Sequence, residues 1–169
     1  MARYLDIALS KRGVTCVARM LDEQAPRTCA AVWDALPLGA DVYHAKYARN
    51  EIYTFVPTFA EVAPGPENTT ITPIPGDVVY FPFEQWQMAN AAYGYDAGSA
   101  QRQHQHVVDL ALFYGRNNLL LNPDTGWVPG NVFATIVQGM DDIAAAGQDL
   151  WRRGFEGETL SFARHDGDL

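Results

Sequence analysis

Hydrophobic and polar positions alternate with a period of two at the start of the chain. Leu5, Ile7 and Leu9 interleave with Tyr4, Asp6 and Ala8, and Val14, Cys16, Ala18 and Met20 share one side of a second run. That period is the mark of half-buried strands, so strands are predicted over residues 3–9 and 14–20, with a polar turn at 10–13 between them. The period then lengthens. Cys29, Val32, Trp33 and Leu36 stand at the i, i+3, i+4, i+7 spacing of one buried helical face. Pro26 suits a first helical turn, Asp22 and Glu23 put negative charge near its start, and Pro37 stops it. A helix within residues 21–37, with Trp33 buried, is the expectation.

Beyond the helix the pattern returns to strands. A second hairpin is predicted at 41–47 and 51–56, turning through Ala48-Arg49-Asn50. Residues 57–68 are irregular, broken most clearly by Pro64-Gly65-Pro66. Strands follow at 69–74 and 77–81, with Pro75-Gly76 between them, and then at 107–114, 118–121 and 132–137. The stretch 83–105 is polar and mixed, with one short helix around 85–92. A second helix over 138–153 carries Met140, Ile143, Gly147, Leu150 and Trp151 on one side. A closing strand at 158–163 and a frayed tail at 165–169 end the reading. Many short strands with two helices predict a mainly β fold, a closed antiparallel barrel. One domain over 1–169 is expected, with 138–164 packed on the barrel.

Composition narrows the function. The chain has 169 residues, 48% of them hydrophobic, which is enough for a sizeable core. A formal net charge of −8 argues against nucleic-acid binding, since no basic stripe is present to neutralise phosphates. No apolar run approaches the roughly 20 residues of a membrane helix, so no membrane partner is expected. The acidic Asp6 interrupts the opening residues, which gives no export signal and a cytoplasmic expectation. Cys16 and Cys29 read as small buried hydrophobes.

Three stretches carry a resemblance. They are Ala25-Pro26 with Thr28 and the helix end Ala35-Leu36-Pro37; the hairpin from Tyr43-His44-Ala45-Lys46-Tyr47 to Ile52-Tyr53; and Glu67-Asn68-Thr69-Thr70 followed by Pro73-Ile74-Pro75-Gly76-Asp77. Weaker echoes are Tyr93-Gly94 and Gly130-Asn131-Val132-Phe133-Ala134. In this order, over about residues 21–137, they resemble a bacterial family of cyclophilin-like proteins of uncharacterised biochemical role. The resemblance implies a closed cyclophilin-like antiparallel β-barrel. It does not extend to the prolyl isomerases of that fold, which carry a Phe-His-Arg run whose arginine polarises the substrate amide. Here Ala45 and Lys46 follow His44, and the Gln-Gly-Gly-Asp and Gly-Thr-Gly-Gly segments that shape a proline pocket are missing.

Candidate chemistry centres on His44. It shares a strand face with Val42 and Lys46, with Arg49 in the adjoining turn and Glu51 at the start of the return strand. A histidine, an arginine fork and a carboxylate together suit a small polar or anionic ligand; the plain alternative is a hairpin with surface charges. Glu67 and Asn68 follow a Pro/Gly loop and could point into a barrel mouth, although Asn and Thr also serve turns. Tyr93 and Asn131 complete the expected ligand-binding set of His44, Arg49, Glu67, Asn68, Tyr93 and Asn131. Gly98 with His104-Gln105-His106 mimics the first metal element of cupin barrels. Yet its face continues as Val108, Leu110 and Leu112, while Asp109 points to the other side, so no metal or other cofactor is expected. No nucleophile elbow or phosphate-gripping glycine loop is present. The functional expectation is therefore a small-ligand-binding barrel. Its rivals are a divergent enzyme of this fold (a peptidyl-prolyl isomerase or an accessory subunit of a small-amide hydrolase) and a self-assembling module forming a homo-oligomer.

Overall fold

The computed structural model describes residues 2–84, 87, 106–167 and 169. Strands β1 (Tyr4–Leu9) and β2 (Val14–Met20) form where the alternation predicts and pair antiparallel, Ile7 opposite Cys16. Helix α1 (Pro26–Ala35) holds Pro26 in its first turn and ends at Leu36, ahead of a cis Leu36–Pro37 peptide. Then come β3 (Leu38–His44), β4 (Glu51–Pro57), β5 (Thr69–Thr70), β6 (Asp77–Glu84), β7 (His106–Phe113), β8 (Leu121–Asn122), β9 (Gly126–Trp127) and β10 (Gly130–Gln138). Helix α2 (Met140–Arg153) and strand β11 (Thr159–Arg164) follow.

Pairing runs β2-β1-β11-β3-β4-β7-β6-β10 and returns to β2, closing an antiparallel barrel of eight strands. The two-residue β5 extends the edge of β10 beyond β2. The closing strand β11 is thus a stave of the wall, between β1 and β3, rather than an element laid on it. Closure removes the free edges that an open sheet would expose.

Inward-facing residues fill the barrel: Leu5, Ile7, Leu9, Ile52, Leu110, Leu112, Phe133 and Phe162 are all fully buried. Each such side chain contributes about 1.5–3 kcal/mol by leaving water. Both helices press on this cluster, α1 through Cys29 and Val32 and α2 through Ile143, Ala146 and Leu150. Cys16 and Cys29 lie in it as free thiols, pushed up to about 12 mainly by burial.

A second apolar cluster lies on the other side of the wall. Val79 and Phe81 of β6, Ala111 and Phe113 of β7 and Val132 of β10 pack there against Ala45, Ala48 and Leu120. Strands β4, β7 and β6 are therefore covered on both faces, which is why β7 reads as a nearly unbroken apolar run.

Several local expectations shift. Strand β3 starts and ends three residues before the predicted 41–47, because its first half, Leu38 to Asp41, pairs with β11. Residues 45–50 then leave the sheet as a broad turn with Arg49 at φ 70°. The strand predicted at 69–74 shrinks to β5, since Asp77 pins the following turn by accepting the Ile74 N–H at 2.9 Å. Trp33 is half-buried rather than buried, lying between the guanidinium groups of Arg3 and Arg164 at 5.2 and 4.8 Å. On α2 the buried stripe is Ile143, Ala146, Gly147 and Leu150, and Trp151 is 64% exposed. The short helix expected around 85–92 lies almost wholly outside the described residues.

Candidate functional site

The sequence-derived set of ligand residues divides between two places. Glu67, Asn68 and Asn131 gather at the start of α1. The Glu67 carboxylate accepts the backbone N–H groups of Arg27 and Thr28 at 3.1 and 2.8 Å and the Thr28 hydroxyl at 2.9 Å, and the Arg27 guanidinium lies 3.2 Å away. Helix α1 has Ala25 at its N-cap and no side-chain cap of its own, so Glu67 supplies one from 40 positions away. Burial pushes the Glu67 carboxyl up, but these donors and the Arg27 charge together outweigh it and hold the carboxyl below its usual range. Buried Asn131 accepts the Glu67 N–H at 3.1 Å and donates to the Thr28 hydroxyl at 3.0 Å and the Gly65 carbonyl at 2.7 Å. Asn68, at φ 45°, donates to the Val132 carbonyl at 2.9 Å. These bonds tie the 57–68 loop to α1 and β10.

His44 lies elsewhere. It faces inward with Val42, and its Nε2 lies 2.5 Å from the Tyr114 hydroxyl while Nδ1 lies 3.1 Å from the Ala45 carbonyl. A carbonyl only accepts, so Nδ1 carries the proton and Nε2 accepts from Tyr114. Burial lowers the His44 pKa, which suits this neutral form, and the Trp151 ring packs at 5.1 Å. Arg49 is exposed in the β3–β4 turn. The three groups His44, Arg49 and Glu67 share no hydrogen-bond partner among the described residues. Tyr93 and His104 lie outside the described residues. His106 opens β7 and meets the Glu84 carboxylate at 3.0 Å.

The cleft itself opens one residue away from His44, on the outer side of the wall. It encloses about 110 Å³, bounded by the 45–48 turn, by Glu51, Tyr53 and Phe55 of β4, by Phe81 and Phe83 of β6, by Asp109 of β7, and by residues from 119 to 128. Alternation explains the lining. Glu51, Tyr53 and Phe55 share the odd-numbered face of β4, and Asp109 is flanked across the ladder by Phe55 on one strand and Phe81 on the other. The Phe81 and Phe83 rings are 5.7 Å apart and nearly parallel.

Two carboxyl groups are buried in this aromatic lining: Glu51 is 6% exposed and Asp109 5%. Asp109 Oδ1 has no hydrogen-bond partner among the described residues. Burial raises Glu51 to about 8, and burial together with the Glu51 charge raises Asp109 well above the usual carboxylate range. Both groups therefore resist ionisation, and each can donate a hydrogen bond as an acid or ionise beside a suitable partner. The sequence carried a signal for each: one acid inside the apolar run of β7, another opening the apolar run of β4.

The signature described as "Protein of unknown function (DUF3830)" matches residues 7–162. The chain belongs to the DUF3830 family. No curated protein matches it in sequence. Among solved structures it is similar to McbB, determined in complex with tryptophan, with a TM-score of 0.60 and 17% identity. That match covers 98% of this chain and 46% of McbB, so the chain spans about half the length of this neighbour. It is also similar to the hypothetical protein AF2241 from Archaeoglobus fulgidus, with a TM-score of 0.51 and 21% identity over 97% of this chain and 95% of that one. At these identities the likenesses establish a shared fold.

Proposed function

We propose that this DUF3830 chain binds a small organic molecule in the cleft on the outer wall of its barrel. One observation carries the reading: a buried carboxyl oxygen of Asp109, without a partner among the described residues, lines an aromatic cleft. An orphaned buried polar atom costs about 1–3 kcal/mol, a cost that a ligand hydrogen bond would offset. The free volume of about 110 Å³ is of the order of an engineered cavity of ~150 Å³ that accepts benzene, so a compact ligand or the end of a longer one fits. McbB, a structure in complex with tryptophan, is an instance of a small molecule on a similar fold. The cyclophilin-like resemblance of residues 21–137 agrees with the barrel. Relative to the sequence-derived set, the reading moves the ligand from His44 and Arg49 to the neighbouring face of the same hairpin.

A fragment screen by thermal shift tests it, comparing the wild-type chain with Leu121→Trp, which fills the rim from an exposed position. Fragments should raise the wild-type Tm and lose that effect in the variant. Stabilisation that survives Leu121→Trp for every fragment would place the ligand elsewhere.

A further inference from the structure

We infer that the ligand of this cleft is a small organic cation, an amine on a flat apolar body, whose ammonium group is held by Glu51 and Asp109. The inference rests on the cleft reading above and adds the chemical class.

Two features of the lining and one of the whole chain lead to it. The first is the sign of the buried groups. Asp109 is unpartnered at Oδ1 among the described residues, and buried Glu51 lines the same cleft. An anion entering there could accept hydrogen bonds from the acids only while both stay protonated, and it would oppose the ionisation of either. An ammonium offers up to three donors to acceptor oxygens and lets both carboxyls ionise against a partner. The second feature is the ring set. Tyr53, Phe55, Phe81 and Phe83 present aromatic surface around the acids, which suits a flat body and attracts a cation through the ring quadrupoles. The third is the whole-chain charge of −8, which favours the approach of cations over anions.

Other charged and titratable groups surround the two acids. Lys46 and Tyr47 come from the β3–β4 turn and Tyr53 from β4, and each has interactions of its own. Asp124, also engaged, lies in the β8–β9 turn beside the lining residues Asn122 and Thr125. The His106–Glu84 pair ends β7 and β6 on the opposite face. Lys46 is exposed, whereas both acids are buried, so the polar groups at the covered end of the cleft are carboxyls. An ammonium docking between them displaces protons into solvent, and binding therefore strengthens as pH rises while the amine itself stays charged.

Three probes of similar shape separate the possibilities: benzylamine, benzyl alcohol and benzoate, measured by calorimetry on the purified chain. Benzylamine should bind best, tightening by up to about tenfold per pH unit between pH 6 and 8 with release of protons. Asp109→Asn, which replaces the acid by a neutral isostere, should weaken benzylamine at least about tenfold and leave benzyl alcohol nearly unchanged. Glu51→Gln provides a second reading should Asp109→Asn unfold. The inference is overturned if benzoate binds as well as benzylamine, if benzylamine ignores both variants, or if no probe binds. Benzyl alcohol binding alone, lost in Leu121→Trp, would overturn the cation while leaving the cleft reading intact.

Discussion

At the scale of single residues, the acids of the cleft wall oppose folding as pH rises. A carboxyl whose pKa is raised in the folded state binds a proton that the unfolded chain has already released. Its stability contribution is full below the unfolded value and is lost as pH climbs through the folded one. For Glu51 that window runs from 4.5 to about 8. His44 acts in the opposite sense, because its lowered pKa costs stability only as pH falls below its ordinary 6.5. Glu51→Gln should therefore be more stable than wild type at pH 8, by on the order of a few kcal/mol. The gap should shrink toward zero near pH 4.5; urea melts at both pH values measure it. A pH-independent gap would mean that Glu51 ionises freely in the folded chain. Gly147 is a residue-scale constraint of another kind. A Cβ there would stand 2.6 Å from the Tyr114 ring, the ring whose hydroxyl donates to His44. Gly147→Ala should cost about 1–3 kcal/mol by overpacking, despite the better helix propensity of alanine, and denaturant midpoints give the value.

At the scale of elements, helix α1 depends on a residue outside itself. Its first turn holds no acidic residue, and the Glu67 carboxylate stands in for a cap. Glu67→Ala should cost about 1–2 kcal/mol, near the upper end for a lost cap, because the buried Thr28 hydroxyl loses a partner as well. Hydrogen exchange at the Arg27 and Thr28 amides should accelerate in that variant while the strands stay protected. Exchange unchanged at both amides would remove Glu67 from this role. The same element shows where sequence reading succeeds and where it stops. Periodicity located both helices and most strands, because burial on one face leaves its spacing in the residues themselves. It misjudged Trp33, since the spacing of Cys29, Val32, Trp33 and Leu36 describes a stripe whose edge is half-exposed and held by two arginines. It placed β3 three residues late, because the partner that fixes its start, β11, lies more than 100 positions away. The proposed cleft was half legible. The hairpin that bounds it stood out in the sequence, Glu67 and Asn131 bind the 57–68 loop to α1 and β10, and the contact between β4 and β7 that lines the cleft pairs residues 55 and 109, too far apart for periodicity to join.

At the scale of the whole molecule, the barrel is closed by strands distant in sequence. The seam joins β2 to β10, with Ala18 opposite Ile136 and a bulge before Gln138, while β1 pairs with β11 from Leu5 to Leu9. Contacts of such separation make loop closure the dominant entropic cost, so refolding should fall in the millisecond-to-second range typical of all-β domains. Stopped-flow fluorescence reads this directly, and a microsecond phase of full amplitude would contradict it. Destabilising the seam should slow folding more than it speeds unfolding if closure belongs to the transition state.

That seam has a consequence for synthesis on the ribosome. Strand β2 emerges early, yet the partner of its outer edge, β10, is completed only at Gln138. With residues added at about 5–20 per second, the edge stays unpaired for several seconds in every newly made chain. An unpaired strand carrying Val14, Cys16, Ala18 and Met20 is a template for pairing with another nascent chain. Arg19 at its end and the Lys11–Arg12 turn before it put charge beside that edge, where it discourages such encounters until the ring closes.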